Sequence, residues 1–191
     1  MLNIILFGPP GAGKGTQSEF IIKKYNLTHI ATGDLFRKHL SEGTDLGKLA
    51  QTYMDQGKLV PDEVVIGMVD EKVKENPNVA GFIFDGFPRT VPQAEALDAL
   101  MASKGTPISG MVALDVPVDE LEKRIKERGK TSGRSDDQDE QKIKTRIKVY
   151  YDETLPVANY YEQKGRFAKI HGVGEIDAIF KQICDKIESF R

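Results

Sequence analysis

A single cysteine, Cys184, stands in a chain of 191 residues. That count excludes an internal disulfide and a cysteine-rich zinc site. Net charge is only −2, so there is no bulk basic field to draw nucleic acid or an anionic membrane. Long apolar runs are missing as well. Leu2–Phe7 stops at Gly8-Pro9-Pro10, far short of a secretory h-region or a membrane span. No internal repeat, low-complexity tract or inter-domain linker is visible. These absences leave one ordinary domain, long enough to bury most of its apolar surface. Its expected compartment is the reducing cytoplasm, without nucleic acid or membrane as partner.

What is present alternates. Short apolar runs at Leu2–Phe7, Thr28–Ala31, Gly81–Phe84, Met111–Asp115 and Phe167–Ile170 read as strands, with helical patterns between them. Strands separated by helices imply right-handed crossovers and a parallel sheet, an α/β fold. In the last helix Ile176, Ile179, Phe180, Ile183, Cys184 and Ile187 recur at helical spacing. They form one stripe facing the sheet, with Cys184 as core filler. Pro92 and Pro117 mark helix starts. Pro156 predicts a kink or break near Thr154–Leu155 inside the pattern running from Asp136 to Gln163. Thr32–Val60 is a helical excursion longer than one crossover needs. Arg128–Asp137 is short, polar and glycine-containing, as mobile loops are.

Directly after the first strand comes Gly8-Pro-Pro-Gly-Ala-Gly-Lys-Gly-Thr16. A strand, a glycine-rich turn and a helix start aim several backbone N–H groups at one point, which suits a polyphosphate. A dinucleotide fingerprint would want no lysine here and an acidic residue ending the second strand. That strand instead ends Ala31-Thr32-Gly33-Asp34. Gly8, Gly13 and Lys14 match the P-loop pattern, yet Gly15 stands where a Ser or Thr hydroxyl normally ligates Mg²⁺. The hydroxyl arrives one place late, at Thr16.

Asp85 ends the strand Phe82-Ile-Phe-Asp85, a placement that brings a carboxylate beside the phosphates to hold Mg²⁺ through its water shell. Against nineteen lysines the chain has eight arginines, and six of them occupy suggestive places. Arg37 follows Thr32-Gly33-Asp34 and Arg89 follows Gly86-Phe87-Pro88. Arg124 and Arg128 share a helix face away from Leu121 and Ile125. Arg134 lies in the polar loop and Arg146 on the next helix. A solvated face with a Glu120–Arg124 pair is the plain alternative for Arg124. The planar guanidinium suits phosphate oxygens better than lysine does.

Gly8–Thr16, Thr32-Gly33-Asp34, Gly57-Lys58-Leu59-Val60, Asp85-Gly-Phe-Pro-Arg89-Thr, Gln93, Arg128 and Ser132-Gly-Arg134-Ser-Asp-Asp137 together resemble the adenylate kinase family of nucleoside-monophosphate kinases. The resemblance runs from residue 2 to about residue 188 and is of the short-lid type. It implies a three-layer P-loop NTPase fold with a parallel five-stranded sheet and helices on both faces. The implied organisation is a core of 1–30, 61–126 and 138–191, an AMP-binding flap at 31–60 and a lid at 127–137. The implied reaction is ATP + AMP ⇌ 2 ADP with Mg²⁺, by a monomer. The close alternative is a UMP/CMP-type kinase.

Residue roles follow from the same resemblance. Gly11, Ala12, Gly13, Lys14, Gly15 and Thr16 wrap the ATP phosphates, and Gly174 offers backbone to the adenine of ATP. Thr32, Arg37, Lys58, Leu59, Val60, Gly86, Phe87, Pro88, Arg89 and Gln93 hold AMP. Arg128 touches ATP, with Arg124 beside it. Arg134 and Arg146 clamp the transferring phosphoryl, which puts both against AMP as well. The catalytic set is thus Lys14, Arg89, Arg124, Arg128, Arg134 and Arg146, with Asp85 toward the metal. Gln93 carries an amide acceptor and donor that match adenine's N6 amino group and N1.

A zinc-bearing lid is not expected. From Arg134 to Arg146 the chain is one residue longer than the family's usual spacing. One residue turns a helical side chain by about 100°, so the place of Arg146 is an open question. No general base is evident in these motifs. A phosphate acceptor needs none, because its second pKa of about 6 leaves it largely dianionic near neutral pH. A P-loop switch or motor hydrolase would want a hydroxyl directly after Lys14 and a water-orienting element.

Overall fold

The three central strands are buried at almost every position and must be covered on both faces, and the architecture follows from that need. A computed structural model describes all 191 residues. Five strands, β1 (Leu2–Phe7), β2 (Thr28–Ala31), β3 (Gly81–Asp85), β4 (Gly110–Asp115) and β5 (Phe167–His171), pair in parallel in the order β2-β3-β1-β4-β5. Alternate residues of each strand feed opposite cores. Ile5, Phe7, Phe82, Phe84, Met111 and Ala113 pack on one face, with α4 (Asp62–Lys74), α5 (Val91–Ser103) and α8 (Pro156–Gln163). Ile4, Leu6, Ile83, Val112 and Leu114 pack on the other, with α1 (Lys14–Tyr25), α6 (Val118–Gly129), α7 (Glu140–Val149) and α9 (Ile176–Ser189). This is the three-layer arrangement that the sequence predicts.

The helical excursion after β2 consists of α2 (Thr32–Ser41) and α3 (Asp45–Met54). Thr44 caps α3 by accepting the Gly47 N–H at 3.1 Å. Gly47 lets the two helices close up, since a Cβ there would lie 2.4 Å from the His39 backbone.

Two details depart from the sequence expectation. Ile176 does not join the buried stripe of α9. It is 50% exposed, because it opens the helix at the loop end, while Ile179, Ile183, Cys184 and Ile187 are buried. The helical pattern from Asp136 is also interrupted earlier than Pro156 requires. A 3₁₀ turn at Ser135–Asp137 precedes α7, and Asp139 caps α7 by accepting the Gln141 and Lys142 N–H groups at 2.7 and 3.2 Å. At the expected break, Tyr150–Thr154 is π-helical and α8 begins at Pro156. A proline has no N–H to donate back, and the wider turn absorbs the mismatch.

The chain leaves β1 toward β2 and leaves β3 toward β4, on the far side of β1. The carboxyl ends of β1 and β3 therefore flank a switch point, where open parallel sheets place ligands. Both specific motifs, Gly8–Thr16 and Asp85–Thr90, begin there.

Candidate active site

Seen from the loop outward, the site is a set of cations with few anions of their own. Gly11 has φ +81, and a Cβ on it would lie 2.8 Å from Ile125 Cγ1, so only glycine lets the loop pass α6. Gly13 (φ +97) precedes α1 without any side-chain cap. The first N–H groups of that helix are left for a ligand. Lys14 folds back over the loop, its Nζ donating to the Gly8 and Pro9 carbonyls at 2.9 Å each. Burial pulls its pKa down to about 7. Asp85 opposes that shift, and Arg89, Arg128 and Arg146 add to it. Gly15 and Thr16 lie exposed on the first turn of α1.

Asp85 accepts from His29 Nε2 at 3.3 Å. Burial would raise its carboxyl, but the His29 hydrogen bond and the Lys14 charge outweigh that and hold it below the ordinary carboxylate range. It is ionised at neutral pH. No group of three or more His, Cys, Asp or Glu side chains is placed to hold a metal alone.

Arg89 lies beside Lys14. Its Nε donates to the Gly86 carbonyl at 2.6 Å, and burial, then Arg146, bring its pKa down to about 10. Thr32 Oγ1 donates to the same carbonyl at 2.9 Å. Gly86 (φ +76) leaves the space, since a Cβ would come 2.8 Å from the Arg89 guanidinium. Arg37 pairs with Asp34 and lies over Gly33. Gln93 is 2% exposed. Its Oε1 accepts the Arg89 N–H at 2.8 Å and its Nε2 donates to Asp62 at 2.9 Å.

One cleft gathers Lys14, Thr32, Arg37, Arg89, Gln93 and Arg146, floored by Phe87 and Pro88 and closed by Lys58, Leu59 and Val60. The Arg146 side chain, whose place the sequence left open, lines this cleft.

Arg124, Arg128, Arg134 and Gly174 lie outside that lining. Arg124 makes the Glu120 pair of the plain reading (3.0 Å) and also donates to the Ala12 and Gly172 carbonyls at 3.4 and 3.1 Å. It ties the glycine loop to the loop before α9. Gly174 is exposed there, with open space where a Cβ would stand. Arg134 makes no ion pair, and burial, Arg37 and Arg128 lower its pKa.

Sequence reasoning did not assign a role to Asp137 or Asp62. The Asp137 side chain is 0% exposed. It takes a bidentate pair from Arg128 at 2.7 and 2.8 Å and a third bond from Arg146 at 2.9 Å. Burial alone would raise its carboxyl, yet the two guanidiniums bring it down to about 2. Asp136 stands 3.4 Å from Arg146. The signal in the sequence was the pair of acidic residues closing a loop that begins with an arginine.

Comparison with known proteins agrees with this geometry. The family model described as Adenylate kinase matches residues 6–166. An adenylate kinase of Flavobacterium psychrophilum is 50% identical over 189 residues, 99% of this chain and 100% of its own length. Adenylate kinases of Bacteroides fragilis and Stenotrophomonas maltophilia are 48% and 43% identical, covering 99% and 98% of this chain and the whole of each relative.

Proposed function

The chain belongs to the adenylate kinase family, and from that premise we propose how its cleft moves a phosphoryl group between two nucleotides. The enzyme transfers phosphoryl reversibly from ATP to AMP, giving two ADP. The observation that carries the residue assignment is the convergence of Lys14, Arg37, Arg89 and Arg146 on one cleft that also holds the buried Gln93 amide. Four cations suit the phosphates of two nucleotides, and the amide suits the acceptor's base.

Gly11, Ala12, Gly13, Gly15 and Thr16 offer backbone to the ATP phosphates, and Lys14 leaves the Gly8 and Pro9 carbonyls to bridge them. Arg128, Arg124 and the Gly174 backbone face the ATP nucleoside. Arg37 and Arg89 take the AMP phosphate. Thr32, Lys58, Leu59, Val60, Gly86, Phe87, Pro88 and Gln93 enclose its nucleoside. Arg146 and Arg134 neutralise the group in flight. No base is required, because the attacking phosphate oxygen is already largely ionised. Catalysis is then positioning and charge neutralisation with water held out.

The donor set fits a magnesium ion that arrives on the nucleotide: one ionised strand-end carboxylate, and no hydroxyl on Gly15. Asp85 would hold it through its water shell, and the ion supplies neutralisation of the phosphate oxygens when bound. Residues 31–60 act as a closing flap and 127–137 as a short lid on the remaining core. In support, Ser135 Oγ donates to Asp55 at 3.2 Å across the two. We place the enzyme in the cytoplasm as a monomer, consistent with its single cysteine and near-neutral charge.

The test is ADP formation from ATP with AMP, CMP, UMP and GMP in turn. AMP is expected to exceed the others by orders of magnitude. Comparable rates with CMP or UMP would overturn the assignment of the acceptor pocket, and vigorous ATP hydrolysis without any monophosphate would overturn the transfer mechanism.

A further inference from the structure

We propose that Asp62 makes the cleft select adenine over 6-oxopurines, by locking the Gln93 side-chain amide in one of its two orientations. The inference rests on the reading above that Gln93 faces the acceptor base. A glutamine amide can rotate by half a turn with little change in shape, exchanging its donor and acceptor ends. The two orientations read different bases. With the oxygen toward position 6 and the nitrogen toward N1, the amide accepts from adenine's amino group and donates to its bare N1. Reversed, it donates to a 6-oxo group and accepts from N1–H, the edge that hypoxanthine and guanine present.

The chemistry of the two anchors fixes which orientation stands. Gln93 Nε2 donates to Asp62 Oδ1 at 2.9 Å, while Gln93 Oε1 accepts the Arg89 N–H at 2.8 Å. A carboxylate only accepts and a backbone N–H only donates. Reversal would set oxygen against oxygen at one end and N–H against N–H at the other. Asp62 is held in turn by the Thr90 hydroxyl at 2.8 Å, and Thr90 Oγ1 accepts the Gln93 N–H at 3.3 Å. Each end of the amide keeps one further hydrogen-bonding valence for a base, and its burial leaves bulk water little access. Asp62 opens α4, whose Val65 lines the same cleft. Asp62 is therefore a positioning residue, acting through Gln93.

The test compares kcat/KM for AMP and IMP, as acceptors with MgATP, in the full-length enzyme. Asp62→Asn lets the anchor donate as well as accept. It is expected to raise the KM for AMP, leave kcat within about twofold, and compress the AMP-to-IMP ratio about tenfold, in keeping with loss of a charged hydrogen-bond acceptor. Asp62→Leu should compress it further. An equal loss for both acceptors, or an unchanged ratio, means a merely structural role and overturns the proposal. Gln93→Leu separates the two readings. If that variant collapses the ratio while the Asp62 variants do not, only the locking role fails. If it leaves the ratio intact, the assignment of Gln93 to the base fails, and the locking role with it. Should the Asp62 variants not fold, Thr90→Val carries the test, with an expected compression of about threefold; no compression there overturns the proposal.

Discussion

At the floor of the cleft, Lys14 and Arg89 rest on the backbone carbonyls of Gly8, Pro9 and Gly86. At its lid edge, Arg128 and Arg146 rest instead on the carboxylate of Asp137. The floor cations are buried against neutral dipoles and each other, so their pKa values fall. The lid cations are already neutralised. An arriving phosphate relieves repulsion at the floor but must displace a carboxylate at the lid. On the function proposed above, the floor acts as a standing anion trap, and Arg128 and Arg146 contribute only when a polyphosphate can outcompete Asp137.

The largest effect should come from the floor. Arg89→Ala removes a cation that no neighbour replaces, and kcat should fall by at least several hundred-fold, the scale of a lost transition-state clamp. Near-normal turnover in steady-state assays would show that Arg89 does not hold the acceptor phosphate in line for transfer.

Asp137→Asn strikes the lid side. Arg128 loses its only carboxylate and Arg146 keeps only Asp136 at 3.4 Å, and thermal or urea unfolding should report a loss of about 2 kcal/mol. The pH dependence has a definite sign. Folding lowers the Asp137 carboxyl from 3.8 to about 2, so its stabilisation is fully present above about pH 4 and is lost as pH falls toward 2. The variant should decline less steeply than the wild type across that window, the remaining slope coming from other lowered carboxyls such as Asp85. A wild-type slope in the variant would assign the acid sensitivity elsewhere.

Lys14 is shifted down as well, but there the shift disfavours the charged form. With a pKa near 7 in the free enzyme, it is largely neutral at pH 8. Phosphate restores its charge, so nucleotide binding should take up as much as about one proton at pH 8, whereas at pH 6 Lys14 takes up almost none and the phosphate, with its second pKa of about 6, releases part of a proton instead. Calorimetry in buffers of different ionisation enthalpy measures this directly. Buffer-independent heats at pH 8 would mean the floor is not the charge-strained wall. Smallest of all, we expect opening of the flap and lid to limit the cycle, so that Ser135→Ala, which deletes the bridge to Asp55, should raise turnover by about twofold. Single-turnover chemistry no faster than steady-state turnover would contradict that.

The floor was the legible wall. β1 is apolar apart from Asn3, the glycine loop follows it at once, and Asp85 to Arg89 are contiguous, so chain order there is spatial order. The lid was legible only in its arginines. Its geometry is set by Asp137, nine residues from Arg128 and nine from Arg146, and no periodicity announces which carboxylate a loop will bury. Asp62 is hidden for the same reason: 31 residues separate it from Gln93, and only the packing of α4 on α5 brings them together. Ile176 shows the converse error, a perfect helical spacing that runs past the point where the helix meets the sheet.

A structure of the enzyme with a bisubstrate analogue, in which the two adenosines are joined through their phosphates, tests the exchange of partners most directly. The prediction is that the Arg146 guanidinium leaves Asp137 for the phosphate chain, joining Arg89 and Lys14 around it. Arg146 still paired with Asp137, and phosphates held by the floor alone, would contradict the account.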